Sequence, residues 1–127
     1  MGIIFVLIVV FLITGGIVVS FVRIYTEVKI TCLKAQKEYK TDCVGSLIQI
    51  LESDQTTMRE RNTAIWALGQ LADKQALSVL QRYYTGNRSS REPLDITISQ
   101  YELNKAIGWC LNGNIMSWMY RNRDVWR

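Results

Sequence analysis

Ile3 to Val22 is a run of 20 residues without a charge, and no other feature limits the fold of this chain so strongly. Wound as a helix it rises roughly 30 Å, about the thickness of the hydrocarbon layer of a bilayer. A helix satisfies every backbone donor and acceptor within the segment, as lipid requires. A cleaved signal peptide would need basic residues ahead of the run, a shorter run and a small-x-small cleavage site. No Lys or Arg precedes Ile3, and the run ends Val19-Ser20-Phe21-Val22-Arg23. Residues 1–22 are therefore expected to be an uncleaved, single-pass transmembrane anchor. Flanking Lys and Arg are retained in the cytoplasm. All of them follow the run, so the N-terminus is expected outside and the remainder of the chain at the cytoplasmic face.

About 85 residues are left for folding beyond the anchor and its polar follow-on, enough for one small domain. Residues 23–41 read as a basic helical stalk with five cations, Arg23, Lys29, Lys34, Lys37 and Lys40, against Glu27 and Glu38. Ile24, Val28, Cys32, Ala35 and Tyr39 form a narrow apolar stripe at helical spacing. A solvated stalk packing loosely on the domain is preferred to a seam for a partner helix. The charge excess sits beside the anchor and at the C-terminus rather than across the folded domain. That placement suits an anionic lipid surface and argues against nucleic acid.

Four helices can be read in residues 42–113. The first runs from about Asp42 to Glu52. The second opens at Thr57, where Thr57-x-x-Glu60 is a capping box. Asp73 caps the third, and Ser99-x-x-Glu102 reads as a second capping box opening the fourth, which Gly113 ends. Leu103, Ala106, Ile107, Cys110 and Leu111 are expected to face inward on the fourth. Val44, Leu47, Ile48 and Leu51 recur 32 residues later as Ala76, Val79, Leu80 and Tyr83, and Ala64-Ile65 recurs as Ala106-Ile107. Self-similarity at such periods marks an α-solenoid.

The run Arg61-Asn62-Thr63-Ala64-Ile65-Trp66-Ala67-Leu68-Gly69-Gln70-Leu71-Ala72-Asp73, with Ala76, Leu77 and Leu80 after it, resembles the HEAT family. The likeness is to its short repeats first named from phycobilisome lyases. It covers about 20 residues clearly and residues 42–113 loosely. In the second copy Gly108-Trp109-Cys110 stands where the family has Ala-Leu-Gly. The resemblance implies an all-α fold with about two HEAT-like helix pairs behind the anchor, and a surface that binds protein. Two pairs bury little on their own, so the stalk, the tail or a second subunit is expected to cover an open face.

Leu94, Ile96 and Ile98 alternate within the loop from Gly86 to Ile98, as a short extended piece would. In the tail, residues 114–127, Ile115, Trp118 and Met119 are expected to cap the last helix pair. For Tyr120, Arg121, Arg123, Trp126 and Arg127, contact with the membrane surface or a partner is as good a reading as packing. Gly16 and Ser20 form a small-x-x-x-small pair that would let a second membrane helix approach.

Cys32, Cys43 and Cys110 show no C-x-x-C spacing and are odd in number. They are expected to be ordinary small apolar residues in a reducing compartment. The chain has no His, which removes His-based triads and His-containing metal sites. Glu60, Asp73 and Glu102 are engaged as caps, so no nucleophile and base pair up. The chain is expected to be no enzyme and to take no cofactor. Its expected role is a membrane-anchored scaffold or adaptor whose partner surface carries Arg59, Asn62 and Trp66. The alternative is a small accessory subunit, or a homo-oligomer, held mainly through the transmembrane helix.

Overall fold

A computed structural model describes residues 1–87 and 91–126, and over them the protein is all-helical. Helix α1 runs unbroken from Gly2 to Tyr39, 38 residues, about 57 Å at the α-helical rise. No proline interrupts it, and the hydroxyls of Thr14, Ser20, Thr26 and Thr31 each donate to the carbonyl four residues back. It ends at Lys40, whose left-handed φ of 53° turns its N–H onto the Gln36 carbonyl. One end of α1 is long and apolar enough to cross a membrane, and its most apolar stretch touches none of the folded domain.

The other end of α1 belongs to the core. Val28, Cys32 and Ala35 are fully buried against α2 (Cys43–Glu52) and α3 (Met58–Leu71). The stripe read as loosely packed is a tight seam, because α2 folds straight back onto it after three residues. The same fold-back corrects the reading of three free thiols. Cys32 and Cys43, 11 residues apart, are joined by a disulfide, and among the described residues only Cys110 is free. A hairpin between helices brings such a pair together without any short-range motif.

Asp42 caps α2, its side chain accepting from the Gly45 N–H. Thr57 and Glu60 make the expected capping box on α3. Asp73 accepts from the Gln75 N–H to start a 3₁₀ turn, Lys74–Ala76, that runs into α4 (Leu77–Tyr83). Helix α5 (Gln100–Asn112) stops at Gly113, whose φ of 88° suits glycine. Helix α3 lies at the centre, packed on α2 and α5, while α4 packs on α5. Leu47, Leu51, Ile65, Leu68, Leu80 and Leu103 fill the interior. Gly69 sets the α3–α5 distance: a Cβ there would lie 3.0 Å from the Ala106 Cα and 3.1 Å from Trp109 Cε3.

The loop before α5 is a turn rather than an extended piece, with Ile96 and Thr97 both donating to the Pro93 carbonyl. Leu111 is exposed instead of inward; it follows the buried Cys110 on the outer side of the last turn.

The tail packs as expected at Met119, which lies against the core, but not at two other positions. Ile115 and Trp118 are exposed, whereas Tyr120 and Trp126 are buried. The chain turns twice, in 3₁₀ turns at Ser117–Tyr120 and Arg123–Val125. These deliver Tyr120 face to face onto Tyr25 of α1, ring centroids 5.8 Å apart, and Trp126 edge-on to the same ring at 5.6 Å. Lys29 approaches the Trp126 ring at 6.0 Å. Stalk and tail thus close the domain on one side together.

Candidate interaction surface

Arg59, Asn62, Thr63 and Trp66 lie along one side of the first turns of α3. These residues, with Leu94 and Glu102, line a shallow groove of about 240 Å³. The structure divides the three residues expected to bind a partner. Trp66 is half-buried in the groove wall. Arg59 is exposed and bonds through Nε to Asp95 Oδ1 at 2.7 Å. Asn62 leaves the candidate surface: it is buried, its Nδ2 donates to the Leu94 and Thr97 carbonyls, and its Oδ1 accepts from the Ser99 N–H at 2.7 Å. It is a clamp on the loop before α5.

Its neighbour Arg61 does the same for the preceding connection. The guanidinium is nearly buried and donates to the Ser53 carbonyl and to Asp54 Oδ1. Adjacent residues on one helix therefore hold the entry loops of α3 and α5.

The loop returns the clamp by capping α5. Glu92 Oε1 accepts from the N–H groups of Gln100 and Tyr101, and Ser99 Oγ from that of Glu102. Negative charge at a helix N-terminus is favourable. Glu102 does not close the expected capping box, because Asn62 already holds the Ser99 N–H. It pairs instead with Lys105 at 3.2 Å. Lys105 Nζ lies 5.1 Å from the Tyr101 ring and 5.2 Å from the Trp109 ring. Sequence reasoning passed over this aromatic–cation–aromatic stack, although Tyr101, Lys105 and Trp109 recur at every fourth residue, one face of a helix.

The electrostatics of the groove follow from these pairs. Hydrogen bonding from Arg59, then its charge, holds the Asp95 carboxyl below its ordinary value and raises the guanidinium. Glu60 is held low first by the Thr57 backbone N–H. Cys110 is pushed up to about 11 by burial and the nearby Asp73 charge, so its thiol stays protonated. Among the described residues no group of three or more His, Cys, Asp or Glu is placed to hold a metal ion.

Of the tail residues expected at a membrane or partner, Tyr120 and Trp126 are committed to Tyr25, as above. Arg123 is committed too: it pairs with Asp73 and donates to the Tyr120 carbonyl. Burial pushes the Tyr120 phenol up to about 12. Arg121 remains exposed, and Arg127 lies outside the described residues. Gly16 and Ser20 are both exposed, with the Ser20 hydroxyl turned back onto the Gly16 carbonyl and open space around Gly16.

Comparison with known proteins finds no matching family, no matching curated protein and no matching solved structure.

Proposed function

We propose that the protein is a membrane-anchored adaptor, without catalytic activity, whose small HEAT-like domain offers the α3–α5 groove to a partner protein at the membrane surface. The observation that carries this reading is the pairing of an uncovered apolar helix end with a domain whose surface carries an open groove lined by Trp66, Arg59 and Glu102. The helix pairs α2–α3 and α4–α5, joined where α3 packs on α5, support the two-pair reading. Trp66 and the Arg59–Asp95 pair supply the aromatic and arginine content favoured at protein interfaces, and the Tyr101–Lys105–Trp109 stack adjoins the groove through the Lys105–Glu102 pair.

Trp66→Ala combined with Lys105→Ala in the full chain tests this. In-membrane crosslinking should lose the adducts formed by the parent chain while the helical circular dichroism of the chain is retained, even though removing the half-buried Trp66 lowers the melting temperature. Adducts unchanged by both substitutions would count against the groove. An accessory subunit held through the Gly16 and Ser20 face is the second reading. Replacing residues 3–22 with an unrelated apolar helix separates the two, since an adaptor survives the exchange and an integral subunit does not.

The flanking cations support an outside N-terminus and a cytoplasmic domain. The Cys32–Cys43 disulfide favours an oxidising compartment for the domain instead. Ser78→Cys on exposed α4 decides the side. Labelling by a membrane-impermeant maleimide only after permeabilisation supports the cytoplasmic placement, and labelling of intact cells reverses it.

A further inference from the structure

The folded domain reaches down to the end of the apolar run. Ile24 and Tyr25 pack partly buried against the core. They lie two and three residues past Val22, about 3 and 4.5 Å along the helix axis. The headgroup layer is roughly 5–7 Å thick on each side of the hydrocarbon, so Tyr25 falls within it when the run is in lipid. Tyr120 stacks on Tyr25, which brings the tail to the same level. Trp118 is in the same 3₁₀ turn as Tyr120, about 4 Å of rise away, and Ile115 stands just before that turn.

These two side chains are 81% (Ile115) and 61% (Trp118) exposed. The fold buries the aromatic residues on one side of the tail and leaves these large apolar ones bare. Arg121, one residue past that turn, is exposed, and so is Arg23, one residue past the apolar run. Aromatic and apolar residues rimmed by cations are the composition of a protein surface at lipid headgroups.

We propose that Ile115 and Trp118 make a second membrane contact, entering the headgroup layer of the same bilayer that α1 crosses, with Arg121 against anionic headgroups. The inference rests on the anchoring reading of α1. Continuity with that anchor selects lipid as the occupant of this surface. A domain held both by α1 and by its tail lies against the bilayer and presents the α3–α5 groove at a fixed attitude.

Nitroxide labels on Ile115→Cys, Trp118→Cys, Ser78→Cys and Phe11→Cys test it, one at a time, in the full chain in mixed phosphatidylcholine–phosphatidylglycerol vesicles. Cys110 is buried, with a protonated thiol, and does not compete for the label. The ratio of collisions with oxygen to collisions with a water-soluble nickel chelate reads the surroundings. Positions 115 and 118 should show a severalfold higher ratio than position 78 and approach that of position 11. If 11 reads as lipid while 115 and 118 match 78, the second contact is wrong and the anchor stands. Shielding of 115 and 118 from both reagents would show protein covering them, which also overturns the proposal. If 11 itself reads as water, the anchoring reading fails and this inference falls with it.

Discussion

Helices α3 and α5 begin with the same four-residue pattern, a hydroxyl and then a glutamate three residues on, yet their N-termini are held in different ways. On α3, Thr57 and Glu60 satisfy each other's backbone groups, the Thr57 N–H reaching Glu60 Oε2 at 2.9 Å. On α5 only the Ser99 half forms. The other donors are taken by Asn62, 37 residues away, and by Glu92. A closed box fixes a helix start by itself; an open one lets the rest of the fold decide where the helix starts. The position of α5 therefore depends on α3 having formed, and residues 92–99 are held in place by that dependence.

The largest test of the contrast is Asn62→Ala. It strands the buried Ser99 N–H and takes two carbonyls' donor away. With about 1 kcal/mol net per hydrogen bond and a further penalty for the orphaned donor, the loss is about 3 kcal/mol. That corresponds to roughly 15 °C in a domain of this size, read by thermal denaturation in detergent. A shift as small as that of a local cap would mean the distant cap is dispensable.

Gly69→Ala comes next and strikes the seam the two helix pairs share. The added methyl meets the Ala106 backbone, which cannot step aside as a side chain would. Overpacking of this kind costs about 2 kcal/mol, and the melting temperature should fall accordingly. Ala106→Gly in the same chain should restore part of the loss by reopening the approach. Thr57→Ala is smaller, about 1 kcal/mol. Its effect should stay local, with faster amide exchange in the first turn of α3 and little change in α5.

The same contrast explains what could be read in advance. The apolar run, the Thr57 and Asp73 caps and the stop at Gly113 are written in neighbouring residues, and local pattern alone places them. The tail could not be read that way. Tyr120 and Trp126 are inside, and Ile115 and Trp118 outside, because Tyr25 stands nearly a hundred positions earlier in the chain. No local count of apolar residues says which of four large side chains will meet it. Asn62 looked like a polar residue on an open helix face for the same reason, since its partners belong to the next helix pair. The Cys32–Cys43 bond likewise follows from the direction in which α2 folds back. Of the candidate surface, Arg59 was legible as an outward position on α3, whereas Trp66 packs half-buried against the core. Asp95 and Glu92 were not legible, because their roles exist only once the loop has closed over that helix.

Acid provides the gentlest probe, and it acts on both helix pairs through different carboxylates. Glu60 is held below its ordinary value first by the Thr57 N–H, and Asp95 by the hydrogen bond from Arg59. A carboxyl lowered by folding stabilises the native state above its unfolded value, and that contribution disappears as the pH falls through the lower, folded one. Both groups are well exposed, so solvent screening keeps the effects small. Melting of the parent chain should therefore exceed that of Asp95→Asn slightly at neutral pH, and the two should converge below the carboxylate range. Glu60→Gln should converge with the parent in the same direction, but with the change confined to α3 exchange rather than to the loop. If acid instead loosened the loop equally in the Asp95→Asn chain, the Arg59 pair would not be what ties it to α3. The buried Asn62 bonds, which do not titrate, would then be holding the loop unaided.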